Sequence, residues 1–391
     1  MKYVTLEEVC ENRTSNISQK DLKGNEGIYP IYGASGLIKK VDFYIQDKEY
    51  IGIVKDGAGV GRTMLLPSKS SVIGTMQYII PNGILNIKYL YYALISKKLS
   101  KYSSGATIPH IYFRDYKKEK IVLISEIEQQ KIVSILDKIV SLIEKNKKRI
   151  ILLEELVKSR FIEMFGDPIR NDKGWEITFM NKISIKRGEY GSNKSSTVYD
   201  GGYRYIRITD IKENGTLKEE KVGVMDEEIE VQKYKLEEGD ILFARSGATV
   251  GKTFLYRKKY GNCIFAGYLI RFKLNLNRVN PYYIKHYTDT EYYKKWIKNY
   301  QNIVAQPNIN AKQYGEELKV LLPPLSLQNE FAEFVTKTYK LKFRLFSSII
   351  LGENLLKNLT LLIFLDNIRL VLELDKRNKN KKLNMGVKKD V

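Results

Sequence analysis

One nine-residue pattern occurs twice in this 391-residue chain: KDGAGVGRT, from Lys55 to Thr63, returns as RSGATVGKT, from Arg245 to Thr253. The offset is 190 residues. At the same offset Tyr78-Ile79-Ile80 answers Tyr268-Leu269-Ile270, and IPHIYFRDYKKEKIVLI from Ile108 answers QPNINAKQYGEELKVLL from Gln306 at an offset of 198. Self-similarity over this span means two copies of one structural unit. The drift from 190 to 198 places small insertions in loops of the second copy, where a shared scaffold tolerates them. The length alone already favours two or three domains over one core.

Each copy ends in a long helix. From Ile132, steps of four and three residues select Leu136, Ile139, Ile143, Asn146, Ile150, Leu153, Val157, Arg160 and Met164, eight of the ten being apolar. Shifted by 199 residues, the stripe reads Phe331, Val335, Thr338, Lys342, Leu345, Ile349, Gly352, Leu356, Leu359 and Ile363, seven of ten apolar. This is the seam spacing of a coiled coil. A helix from Ile127 to Phe165 would be roughly 58 Å long at 1.5 Å per residue, more than a small domain buries alone, so the two helices are expected to pack on each other. Asn146 is either a register device within the seam or a solvated position near a helix end.

The lobes before the helices read as strand-rich: Tyr50 to Val54, Gln77 to Ile80, Asp240 to Ala244 and Tyr268 to Phe272 are short β-type runs. Glycines such as Gly57, Gly61, Gly247 and Gly251 suit the tight turns between them. The tyrosine clusters at 89–92 and 282–293 read mainly as half-buried helix residues, with a minority free to donate hydroxyls to phosphates. The expected fold class is α+β: two tandem mixed α/β lobes, each followed by a long helix, the helices forming an antiparallel coiled coil. The expected boundaries are 1–125, 126–165, 166–325, 326–366 and a basic tail at 367–391.

Composition then narrows the partner. There are 66 basic and 45 acidic residues, a net charge of +21, and a polyanion is the natural partner of such a chain. The lobes at 1–125 and 166–325 each carry +7, whereas the first helix carries +1, which suits helices facing protein and lobes facing an anion. Two cysteines and two histidines leave nothing for a disulfide framework or a zinc site. No run of 18 uncharged apolar residues occurs, and the N-terminus is acidic where a secretory signal needs an apolar core, so a cytoplasmic protein is expected.

Catalytic readings fail on their own requirements. SGATVGKT lacks the first glycine of a phosphate-binding loop, which here is Ser246, and its repeat carries Arg62 in place of the lysine. Pro323-Pro324 follows Leu322 and precedes Leu325, without the Asn or Asp and the aromatic ring that methyl transfer would need beside such a pair. Glu317-Leu318-Lys319 has the spacing of a metal nuclease, but no upstream aspartate is suitably placed.

The glycine turn DGAGVGRT, the segment EIEQQKIVSILDKIVSLIEKNKKRIILLEELVKSRFIEMFGDP, the fresh lobe opened at Gly174-Trp175-Glu176 and the run LLPPLSLQNEFAEFV together resemble the specificity subunits of type I restriction-modification systems, over nearly the whole chain. The resemblance implies that each lobe is a target recognition domain reading one half of a split DNA site. It implies that the helices set the unread gap and dock two methyltransferase subunits, and that restriction subunits then join. It further implies a non-catalytic chain that binds no cofactor itself, with S-adenosylmethionine, ATP and Mg held on partner subunits. Lys342 and Gly352 in the second seam and the tail LVLELDKRNKNKKLNMGVKKDV depart from that pattern.

Basic and amide side chains near the turns are the candidate DNA contacts: Lys55, Arg62, His110 and Arg114 in the first lobe, and Arg245, Ser246, Lys252, Asn308 and Asn310 in the second. Arginine offers a fork to guanine and asparagine one to adenine, while lysine mainly meets phosphate. Each has a plainer reading as a solvated charge or a turn cap. The competing function class is a coiled-coil scaffold whose lobes bind protein, which would lack the salt dependence of phosphate neutralisation.

Overall fold

The computed structural model describes residues 2–224, 228–301 and 308–364. It divides into two units: Met1–Lys147 with Phe346–Val391, and Lys148–Leu345. The long helices α4 (Glu126–Phe165) and α9 (Leu325–Phe364) are therefore shared, each giving one part to each unit.

In the first unit, strands β1 (Lys2–Thr5) and β2 (Cys10–Thr14) flank the short helix α1 (Leu6–Val9), followed by β3 (Tyr29–Gly33), β4 (Gly36–Val41), β5 (Tyr50–Val54), β6 (Thr63–Leu66), β7 (Ser71–Val72) and β8 (Met76–Pro81). Helices α2 (Ile87–Lys97) and α3 (Phe113–Tyr116) and strand β9 (Lys120–Leu123) complete it. The main sheet has the order β2-β8-β5-β6, a second sheet β4-β3-β7, and β1 pairs with β9. Strand β5, YIGIV, is buried along its whole length, as a central strand covered on both faces must be. Helix α4 begins with a reciprocal cap: the Glu128 carboxylate accepts from the Ser125 amide and hydroxyl at 3.1 and 2.8 Å, a local start signal written as Ser-x-x-Glu.

The second unit repeats the plan. Strands β10 (Glu176–Phe179), β11 (Glu189–Tyr190), β12 (Ser196–Val198), β13 (Arg204–Ile206) and β14 (Val222–Val224) precede helix α5 (Glu228–Tyr234) and strands β15 (Ile241–Ala244), β16 (Thr253–Leu255), β17 (Cys263–Phe265) and β18 (Leu269–Phe272). Helices α6 (Pro281–Tyr287), α7 (Glu291–Gln301) and α8 (Ala311–Glu316) lead to strand β19 (Lys319–Leu322). Its main sheet is ordered β11-β18-β15-β16, and β10 pairs with β19, the same order as in the first unit. Register corrects one sequence match. Ile53 sits opposite Thr63 and Gln77, while Phe243 sits opposite Thr253 and Ile270. The turn thus repeats at 190 but the next strand at 193, so Tyr78 corresponds to Arg271 and not to Tyr268. The likeness of Tyr-Ile-Ile to Tyr-Leu-Ile is a coincidence of strand composition.

Every seam position of both stripes is buried or half-buried. Within the first unit, Ile132, Leu136, Ile143, Ile349 and Ile363 are buried, and Ile139 and Leu356 are half-buried. The Asn146 side-chain amide donates to the Ser348 hydroxyl at 3.1 Å, and Lys147 pairs with Glu353 at 2.8 Å. Asn146 is 3% exposed, so it is an interior polar contact and not a solvated end. Within the second unit, Val157, Phe331 and Val335 are buried and Ile150, Leu153 and Leu345 half-buried, with Arg160 on Glu330 at 3.1 Å. The two departures in the second stripe have local explanations. A Cβ on Gly352 would lie 2.9 Å from Ile143 Cγ1, so the glycine makes room for the isoleucine. Lys342 carries its ammonium to Glu154. The tail at 367–391 lies outside the described residues.

Candidate nucleic-acid interface

The repeated motif forms the same turn in both units, between antiparallel strands and not from strand to helix as a phosphate-binding loop would run. In the first, the Val54 amide donates to Arg62 O at 2.9 Å and the Gly61 amide to Val54 O at 2.8 Å. In the second, Ala244 donates to Lys252 O at 2.8 Å and Gly251 to Ala244 O at 3.0 Å. Gly61 and Gly251 have φ of 81° and 86°, a left-handed conformation that favours glycine.

A distant segment closes each turn. The Ile111 amide donates to Lys55 O at 2.9 Å, and Asp56 bridges to His110. The Ile309 amide donates to Arg245 O at 2.8 Å, and Ser246 bridges to Asn308. Lys55 with His110, and Arg245 and Ser246 with Asn308, are thus brought side by side by main-chain bonds that do not depend on side-chain identity.

The other candidates are occupied differently. The Arg62 guanidinium donates to Ala34 O at 2.7 Å, holding the tip of the β3–β4 hairpin, and Lys252 pairs with Glu213 at 2.6 Å in the equivalent place. Both are braces between turns. Asn310 caps α8, accepting from the Gln313 amide at 2.9 Å, which is the plainer of its two sequence readings. Arg114 on α3 lies over the Tyr112 ring at 4.8 Å with its side chain 77% exposed, and His110 stands 5.2 Å from that ring. His110 Nε2 lies 3.1 Å from the Ser104 hydroxyl. Lys55 is 3.4 Å from Asp56.

Most tyrosines of the two clusters point inward. Tyr89 donates to Val122 O at 2.9 Å, Tyr283 to Leu321 O at 2.7 Å and Tyr293 to Gly251 O at 2.9 Å. Among the described residues no group of three or more His, Cys, Asp or Glu side chains is placed to hold a metal ion. Burial pushes the Cys10 thiol up to about 12 and Cys263 to about 11, which leaves both as inert packing groups.

Sequence reasoning missed a paired latch at the helix starts. Gln129 accepts from the Asn86 amide at 2.7 Å and donates to Ile124 O at 3.0 Å. Gln328 accepts from the Asn280 amide at 2.8 Å and donates to Pro323 O at 2.8 Å. Both glutamines are buried, at 2% and 0% exposure. Their signal was the shared glutamine of EIEQQ and LSLQN at the seam offset of 199.

Residues 1–155 and 172–350 each match the model of the type I restriction modification DNA specificity domain. The chain belongs to this specificity family. Among relatives of this specificity chain is the MjaIX type I restriction enzyme specificity subunit of Methanocaldococcus jannaschii, 25% identical over 261 residues. That alignment spans 60% of this chain and 60% of the relative's own length. The S subunit of a type I restriction-modification system from M. genitalium superposes with a TM-score of 0.60 at 18% identity, over 92% of this chain and 95% of the other. A chain solved in work on complex assembly and conformational transition of the type I R-M system gives 0.55 at 13% identity, over 92% and 96%. At these identities the likeness speaks for the fold, and the family match carries the assignment of two DNA-specificity domains.

Proposed function

We propose that the chain is the DNA-recognition subunit of a type I restriction-modification complex, in which the lobes at 1–125 and 166–325 each read one half of a split site. The observation that carries this reading is a single backbone frame bearing two sets of side chains. Lys55, Asp56 and His110 occupy in the first lobe the places that Arg245, Ser246 and Asn308 occupy in the second. Main-chain bonds keep the frame while the side chains it carries differ, which is what two readers of unlike sequences need.

In this reading the helices at 126–165 and 326–366 form an antiparallel coiled coil that sets the unread gap and docks two methyltransferase subunits. Apolar side chains left exposed outside the seam support a docking role: Phe346 and Leu351 in the first unit, Leu152 and Phe343 in the second. Helix α9 is also long and apolar enough to cross a membrane by length and composition, so partition of the chain into membranes would count against this assignment. Restriction subunits join the same core, in the cytoplasm. S-adenosylmethionine, ATP and Mg belong to the partners, and this chain holds no cofactor.

The test is methylation mapping of the chain co-expressed with its methyltransferase, beside a variant whose residues 1–125 come from another member of the family. One half of the methylated motif should change and the other persist. Methylation without a split motif, or DNA affinity that ignores salt concentration, would return the chain to the scaffold class.

A further inference from the structure

Arg245 differs from several arginines of the second lobe. Arg207 is paired with Asp210 at 2.9 Å, Arg257 with Glu238 at 2.7 Å and Arg271 with Glu189 at 2.8 Å. Among the described residues no carboxylate pairs with Arg245. Its guanidinium carbon instead lies 4.7 Å from the centre of the Tyr190 ring, and its Nε points to Asn308 Oδ1 at 3.4 Å. The ring is itself held, because the Tyr190 hydroxyl accepts the Ala311 amide at 3.1 Å. The Arg245 backbone is fixed from both sides, its amide donating to Tyr268 O at 3.1 Å and its carbonyl accepting from Ile309. Tyr190 and Tyr268 are 43% and 61% exposed, and a Cβ on the neighbouring Gly247 would meet nothing within 4 Å. The half-buried Arg245 side chain is thus held beside open surface, while Nη1 and Nη2 have no hydrogen-bond partner among the described residues.

We propose that Arg245 is a specificity-determining residue of the second lobe and reads a guanine in the major groove of the second half-site. The inference rests on the DNA-recognition reading given above. A guanidinium clamped through one face and Nε keeps its two terminal nitrogens in a plane, and that pair matches O6 and N7 of guanine. Rigid placement lowers the ordering cost of the contact, which a mobile surface arginine would bear on binding. The first lobe lacks this device at the equivalent turn, its stacked arginine being Arg114 over Tyr112 on a different element. Lys55 offers a point charge already shared with Asp56, His110 replaces Asn308, and register places Thr14 opposite Gln77 where Tyr190 lies opposite Ile270. No arginine fork is presented at that place, so the guanine contact made through this turn is assigned to the second half-site.

The experiment is methylation mapping of the full chain with its methyltransferase, comparing Arg245→Ala, Arg245→Lys, Tyr190→Phe and Tyr190→Ala. Wild type should methylate a split motif with an invariant guanine in one half. Arg245→Ala removes the contact and should lose about 5- to 150-fold discrimination at that one position, the equivalent of one bidentate base contact, while Arg245→Lys, which keeps the charge but not the planar fork, should lose part of it. Tyr190→Phe keeps the stacking face but loses the anchor to the Ala311 amide, and should relax the same position less than Tyr190→Ala, which removes the face altogether. An intact other half-motif in each variant shows that the chain is folded. If Arg245→Ala keeps the guanine strictly, Arg245 is at most a phosphate contact and the proposal fails while the split-site function stands. A wild-type complex that methylates no split motif removes both.

Discussion

Replacing Gln129 by leucine tests how each lobe is fastened to its helix. Leucine fills similar space but leaves the Asn86 amide and the Ile124 carbonyl without the partners they have at 2.7 and 3.0 Å. Each unsatisfied buried group costs about 1–3 kcal/mol. Both backbone partners are only half-buried, so water recovers part of the loss, and a cost of about 2–3 kcal/mol is expected from that range. The matching Gln328→Leu should cost more, because its acceptor, Pro323 O, belongs to a buried residue. A chain of two units is not a two-state system, so hydrogen exchange resolved by segment, under increasing urea, is the suitable assay. Gln129→Leu should lower protection around Asn86 and the start of α4 and spare the β19–α9 junction, with the reverse for Gln328→Leu. Losses below about 0.5 kcal/mol, the scale of a neutral surface change, would mean that these glutamines are passengers. Equal loss at both junctions from either substitution would equally refute the idea of two separate latches.

The two positive-φ glycines of the first turn should respond unequally: alanine at Gly57, whose φ is 92° with no atom near the added Cβ, should cost about 1–2 kcal/mol from the left-handed backbone alone, whereas at Gly61 the Cβ would fall 2.4 Å from Ser100 N, and thermal melting should show a clearly larger loss. Four residues inserted after Lys147 add about 6 Å of helix at 1.5 Å per residue, and at 3.4 Å per base pair the unread gap in the methylated motif should widen by one or two base pairs; an unchanged gap in an active complex would mean that the helices dock partners without measuring DNA. Burial holds the protonation of His286 below its usual range, although Asp289 at 3.3 Å favours the charged ring, with Lys285 and Tyr339 its other polar neighbours. The unfolded chain therefore binds this proton more readily, so stability should fall as the pH drops below about 6.5, and His286→Gln should flatten that decline in a pH series of urea midpoints; identical slopes would show that other groups govern it.

The sequence made the architecture readable where a physical period was present. Duplication and helical spacing picked out two copies and a stripe along each long helix whose positions are all buried or half-buried, because a helix face repeats regularly and burial follows it; only the fold decided between the two readings of Asn146. The strands around Tyr50 and Ile241 and their neighbours were visible as apolar runs, but the match between the neighbours in the two copies was three residues out, since short β sequences built from tyrosine and isoleucine resemble each other by composition. Side-chain duties were much less legible. Nothing local distinguishes Arg62, which braces a hairpin through Ala34 O, from Arg245, which is left open at the surface. The difference depends on which chain segment folds back onto each turn. The glutamine latches were hidden for a related reason, because a polar residue at a helix start usually signals solvent, and only the fold shows it facing two backbone groups.

On the DNA-recognition reading proposed above, the division between Arg62 and Lys252 on one side and positions 55, 245, 110 and 308 on the other bears on how such a chain can change its target. The bonds that shape each turn run through amides and carbonyls, so exchanging the outward groups should leave folding stability within the roughly 0.5 kcal/mol typical of surface substitutions. New recognition can then be explored by single steps without first accumulating stabilising changes elsewhere. Substitution of a brace is different, because it frees the adjoining hairpin or loop and alters the surface on which every neighbouring contact is made. Mutational drift should accordingly be fast at the outward positions and slow at the braces, and a library randomised at the first set should return many folded chains with altered motifs, while one randomised at the second should return few.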